Sequence, residues 1–190
     1  PMTKKDVTRR GFIKGAVGVA AATGLAISSA AQQNAPEKSV RLGAPIFEKT
    51  DDPEKMVLAH KKLGYRAAYC PEVKLDDADR IKAIAETFAK QDIVIAEVGR
   101  WCNMLDADPV KRKHNIETVT NGLALAEAIG ARCCVDIAGS FNPESWFGPH
   151  PKNLSQEFFD AAVENARAVV DAVKPKRAKF AYEMMGWSLP

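Results

Sequence analysis

From Val40 onward the chain alternates between two hydrophobic patterns. Short runs rich in β-branched and apolar residues occupy positions 40–47, 66–70, 93–98, 132–137 and 179–183, each of strand length. Between them, apolar residues recur at helical spacing. The first such stretch carries Asp51 or Asp52 as N-cap, Pro53 in its first turn and Gly64 as a stop, with Met56, Ala59 and Leu63 on its buried stripe. The second begins near Asp77 and places Ile81, Ile84, Ala85 and Phe88 at i, i+3, i+4 and i+7. The third has Asp108 as N-cap, then Pro109, with Ile116, Val119, Leu123 and Ala126 along one face and a stop at Gly130. The fourth begins near Asn153 or Ser155, is expected to bury Phe159, Val163, Ala166, Val170 and Val173, and ends before Pro175.

Four βα units and a fifth strand, joined by short connections, predict parallel strands with right-handed crossovers. Gly43-Ala44-Pro45 after the first run is not the G-x-G-x-x-G turn of a dinucleotide-binding sheet. Several runs end instead in a carboxylate or an aromatic, as barrel strands do where their C-terminal ends carry the chemistry. The expected fold class is α/β: a partial (β/α)8 TIM barrel over residues 40–190, with about five βα units and strands six to eight missing. A complete barrel takes about 250 residues, so the chain reads as C-terminally truncated. An open five-stranded α/β sheet is the alternative, and its edges would need cover.

Charge changes the picture only at the N-terminus. The 190 residues hold 27 Lys+Arg and 24 Asp+Glu, a net charge of +3. Residues 1–31 contribute Lys4, Lys5, Arg9, Arg10 and Lys14 against Asp6 alone, which leaves 22 basic and 23 acidic residues in 32–190. No basic face for nucleic acid is implied. Thr8-Arg9-Arg10-Gly11-Phe12-Ile13-Lys14, a weakly apolar run from Gly15 to Ile27, and small residues up to Ala31 resemble a twin-arginine signal peptide, 1–31. Arg9, Arg10 and Phe12 carry the pattern. The implied partner is the twin-arginine translocase, and the implied location is periplasmic or otherwise extracytoplasmic. Residues 32–39 are polar and read as a linker.

Four acids stand at strand ends: Glu72, Glu97, Asp136 and Glu183. Facing acids at a barrel mouth can bind a divalent cation or serve as acid and base. For Glu72 and Asp136 the expectation is a rim carboxylate paired with a nearby cation. Arg100 is close enough in sequence to pair with Glu97. Glu183 ends an otherwise apolar strand and needs a partner or a metal. Trp101, Asn103, Trp146 and His150 fall in loops on the same face, where rings offer apolar surfaces and Asn and His offer hydrogen bonds. His60 and His114 are expected on outer helix surfaces. Cys70, Cys102, Cys133 and Cys134 have no C-x-x-C spacing and read as buried small hydrophobes, with a Cys102–Cys133 or Cys70–Cys102 bridge left open. Cys133 and Cys134 should point to opposite sheet faces.

The stretches Ile95-Ala96-Glu97-Val98-Gly99-Arg100-Trp101-Cys102-Asn103, Ala138-Gly139-Ser140, Trp146-Phe147-Gly148-Pro149-His150-Pro151 and Phe180-Ala181-Tyr182-Glu183 together resemble the sugar phosphate isomerase/epimerase family, the xylose-isomerase-like TIM barrels. The resemblance implies a divalent metal (Mn, Mg, Co or Zn) at the C-terminal mouth, with Glu183 as the first of its ligands and also a catalytic acid/base carboxylate. It implies a small carbohydrate substrate, with Trp101, Asn103, Trp146, His150 and Glu97 as candidate substrate contacts. The reaction would be proton transfer next to a sugar or polyol carbonyl. The remaining ligands would lie past Pro190, so this chain alone is expected to be inactive. Alternatives are a non-catalytic carbohydrate-binding protein and a keto-sugar or inosose dehydratase or lyase on the same barrel. An endonuclease-IV-like enzyme would need more histidines and a basic DNA face. Open barrel edges predict self-association.

Overall fold

The computed structural model describes residues 40–185. The signal pattern with Arg9, Arg10 and Phe12, and the linker at 32–39, lie outside the described residues. Helices and strands alternate as α1 Pro53–Lys62, β1 Ala67–Tyr69, α2 Ala78–Lys90, β2 Val94–Gly99, α3 Pro109–Ile129, β3 Cys133–Asp136, a 3-10 turn Pro151–Leu154, α4 Gln156–Val173 and β4 Lys179–Tyr182. The strands form one parallel sheet in the order β1-β2-β3-β4.

The helix ends follow from local chemistry. Asp52, Asp77, Asp108 and Ser155 each accept a backbone N–H in the first turn of α1, α2, α3 and α4, which satisfies donors the helix itself cannot. Gly130 stops α3 at φ 80°, a left-handed geometry that favours glycine.

The core lies between the sheet and its helices. Ile81, Ile84 and Phe88 of α2, Val119, Leu123 and Ala126 of α3, and Val57 of α1 pack on Ala68, Ile95, Val98 and Cys134. The register aligns Tyr69, Glu97, Cys133 and Lys179 across the other face. A bulge decides this: Ala68 pairs with Ile95 but Tyr69 pairs with Glu97, leaving Ala96 extra. Strict alternation would put Ile95 and Glu97 on one face. The bulge sends Ile95 into the core and Glu97 to the open face.

Three expectations are corrected. The first run, 40–47, makes only a parallel bridge from Gly43 to Ala67, with the Leu42 carbonyl accepting the Arg66 and Ala67 amides. Pro45 has no N–H for a ladder, and Phe47 is 90% exposed. In α4 the buried stripe is Phe158, Ala162 and Val169, while Phe159 and Val170 are 47% and 36% exposed. Two neighbouring stripes are both apolar, so periodicity alone does not choose between them. Leu63 is exposed, and His60 is buried in its place. The His60 Nδ1–H donates to the Met56 carbonyl at 2.8 Å, and its ring meets Phe88 edge-on at 5.7 Å between centroids. Its expected surface position is overturned because α1 packs on α2 as well as on the sheet. His114 is exposed, as expected.

Candidate functional site

Three of the expected site residues come together at the C-terminal end of the open face. Glu97 sits half-buried on β2, and Glu183 follows β4, tied by its amide to the Asp136 carbonyl. Trp101 leaves the end of β2 and its indole N–H donates to Glu183 Oε2 at 2.8 Å. The indole folds back over Gly99, where a Cβ would stand 2.3 Å from the ring. Gly99, Val135 and Ala181 share one register row, and the glycine leaves the ring its room. Burial first, and the neighbouring Glu183 charge second, raise the Glu97 pKa. The two acids therefore sense each other. Glu183→Gln is expected to lower the Glu97 pKa toward the ordinary carboxylate range, read by carboxyl-carbon NMR titration. An unmoved Glu97 would show that the acids are independent.

The expected pairing of Glu97 with Arg100 is not formed. Arg100 lies on the helix side, its stem against Gly122 of α3. Asp136, expected as a rim carboxylate, is fully buried with no cation partner among the described residues. Its Oδ1 accepts the Cys102 amide at 2.9 Å, and its Oδ2 has no partner among the described residues. Burial pushes its carboxyl up to about 7, against the lowering by the Cys102 and Ile137 amides. A folded pKa above the unfolded one means the native state holds the proton more tightly. The stability this group contributes is present below about pH 4 and is lost as pH rises through about 7. Asp92, held low by Arg41 and Arg66, and Glu127, held at about 2 by the Ala178 and Arg177 amides, act oppositely, gaining stability as pH rises in the acid range. The clean measurement is therefore the difference between wild type and Asp136→Asn in urea unfolding. Wild type is expected to lose on the order of 2 kcal/mol relative to the variant between pH 5 and 8. Parallel profiles would contradict this.

Asn103, expected among the substrate contacts, is instead a buried tie between loops. Its Oδ1 accepts the Leu105 and Ser140 amides, and its Nδ2 donates to the Ser140 carbonyl, at 2.9, 3.0 and 2.9 Å. Gly139 sits at φ 97°, and a Cβ there would stand 2.0 Å from Asn103 Oδ1. Ser140 and Asn153 continue the tie. Asn153 Nδ2 donates to Ser140 Oγ at 2.9 Å, and its Oδ1 accepts the Phe141 amide at 3.0 Å. These two residues are not among the sequence candidates. Their only signal is a small polar residue in a long loop. Trp146 packs on Phe147 at 4.9 Å, and His150 Nδ1 accepts the Lys152 amide at 3.3 Å. Both belong to the loop after β3, and these contacts, with His150 edge-on to Phe141, lie within that loop. Glu72 is exposed.

Among the described residues no group of three or more His, Cys, Asp or Glu is placed to hold a metal ion. Glu97 and Glu183 alone fall short of the oxygen ligands a Mn²⁺ or Mg²⁺ site needs, so the described residues do not by themselves make such a site. All four cysteines are free, and Cys133 and Cys134 take opposite faces, as expected. No helix among the described residues is long and apolar enough to cross a membrane.

No protein-family profile matches the sequence, and no curated protein does. Solved structures do match in fold. A 3-keto-D-glucoside 4-epimerase from E. coli, in apo form, superposes with a TM-score of 0.54 at 9% identity, over 76% of this chain and 55% of its own. A D-psicose 3-epimerase from Clostridium cellulolyticum H10, solved with D-tagatose, gives 0.52 at 16% identity, over 72% and 48%. Another D-psicose 3-epimerase, in the presence of D-fructose, gives 0.52 at 13%, over 71% and 47%. This chain spans about half the length of these structures. The fold is a partial TIM barrel, as the sequence pattern leads one to expect.

Proposed function

We propose that this chain forms part of a sugar isomerase or epimerase barrel in which Glu97 and Glu183 move a proton at the carbon next to the carbonyl of a sugar or polyol. The acid pair under Trp101 carries this reading. Two carboxylates share one open face, and burial first and the Glu183 charge second raise the Glu97 pKa, which suits Glu97 to proton transfer. The exposed indole offers a flat apolar face to a sugar ring. The epimerases that share the fold support the choice of substrate class. A divalent ion (Mn, Mg, Co or Zn) would be held by Glu183 with ligands other than those described, and would supply polarisation of the carbonyl. This chain alone is inactive in that reading. In the same reading it is exported by the twin-arginine translocase to the periplasm or another extracytoplasmic space, and its edge strands favour self-association.

The test is titration with D-fructose and D-tagatose, followed by the Trp101 indole N–H resonance, assigned with Trp101→Phe. A saturable shift in the millimolar range, with deuterium exchange next to the carbonyl staying at the buffer rate, is the expected result. A chain that binds neither ketose, or binds without moving Trp101, sinks the proposal. Reading the source gene past Pro190 separates the two classes. Further strands ending in Asp, His and Glu support the enzyme, and a stop codon supports a carbohydrate-binding protein.

A further inference from the structure

Beside the C-terminal ends of β1 and β2 lies a cavity of about 1300 Å³, with Arg100, Cys70, His60 and Leu125 on its wall. Arg100 is half-buried. Its stem lies in a notch of α3: a Cβ on Gly122 would stand 2.4 Å from Arg100 Cγ and 3.2 Å from its Nε. Glycine in a helix interior is unfavourable, and here it makes room for this side chain. Arg100 Nη1 donates to the Gly99 carbonyl at 2.8 Å. Among the described residues no carboxylate pairs with it, including Glu48, Asp51, Glu72 and Asp77 of the same cavity.

The ionisable groups that feel its charge are thiols. Burial pushes Cys70 up to about 11, and Cys102 and Cys134 up to about 12, so all three are neutral neighbours. A guanidinium stays charged at any ordinary pH and is costly to bury without a counter-charge. Its rigid fork matches the two oxygens of a carboxylate or phosphate group.

We propose that this cavity binds a small oxyanion, a carboxylate- or phosphate-bearing molecule, through the fork of Arg100 seated in the Gly122 notch. Trp101, which bonds Glu183, also borders this cavity, but the oxyanion is assigned to the Arg100 fork, and that assignment does not depend on the sugar reading. The experiment titrates the full chain with inorganic phosphate and, separately, acetate, against chloride at constant ionic strength. The readouts are the Arg100 Nε–H resonance and Tm. At least one probe shifts that resonance saturably, and at tenfold over its Kd raises Tm by about 3 °C. The tighter probe assigns the oxyanion. Arg100→Gln abolishes both effects, Arg100→Lys weakens them because it keeps the charge without the fork, and Lys113→Gln on the exposed face of α3 leaves them intact. Gly122→Ala, which displaces the stem, weakens binding about tenfold or more. An Arg100 resonance that moves with neither probe, or an Arg100→Gln chain that binds as wild type does, overturns the proposal. The wild-type titration decides by itself if a variant fails to fold.

Discussion

Asn103→Ala is expected to destabilise the fold by about 3 kcal/mol and to loosen the Trp101–Glu183 contact. The truncation leaves two buried amides, of Leu105 and Ser140, and the buried Ser140 carbonyl without their partner. Each buried polar group left unsatisfied costs about 1–3 kcal/mol, reduced where water can enter. The loss falls on the segment that joins the loops after β2 and β3. The Asn115 side chain also donates to the Asn103 carbonyl at 2.8 Å, anchoring the same segment to α3. Since Trp101 lies two residues upstream, its indole N–H resonance should broaden in the variant. Urea unfolding measures the first effect and NMR the second. A cost under about 1 kcal/mol with an unchanged indole signal would mean that the tie is dispensable.

Phe88→Ala is expected to cost about 3–5 kcal/mol, enough to leave a domain of ordinary stability marginal. Phe88 is 1% exposed and packs in the main core, edge-on to His60. Its removal opens a cavity between α1, α2 and the sheet that rigid strands cannot refill. The matched control is Phe159→Ala. The helical pattern alone puts Phe159 inside, whereas the structure leaves it half exposed. Its loss should cost under about 1 kcal/mol in the same urea experiment. Comparable costs for the two would mean that α4 is rotated from the orientation described.

Much of the architecture is legible along the chain because it rests on near-neighbour chemistry. Asp52, Asp77, Asp108 and Ser155 start helices by bonding amides two or three residues away. Gly130 ends one because its φ is positive. Four of the five strand runs pair in parallel, since the intervening helices require crossovers. Glu97, Trp101 and Glu183 are visible as polar or aromatic residues at strand ends, and the sheet brings them to one face.

The remainder depends on contacts between distant segments. Asn103 reads as a hydroxyl-binding group, yet Ser140, 37 positions along, consumes its hydrogen bonds. Asp136 reads as a rim acid, yet Tyr182 aligns with it on the covered face and the Cys102 amide closes over it. Glu97 and Arg100 look like an ion pair, but three positions apart along extended chain the pleat sends them to opposite sides of the sheet, and Arg100 is held there against Gly122 of α3. By itself the sequence determined helix limits, strand direction and the α/β class, because caps, turns and hydrophobic periods act within a few residues. Only the tertiary structure decided which acids meet, which are buried and which stripe of α4 faces inward, because those outcomes turn on register, bulges and burial set by residues far away in the chain.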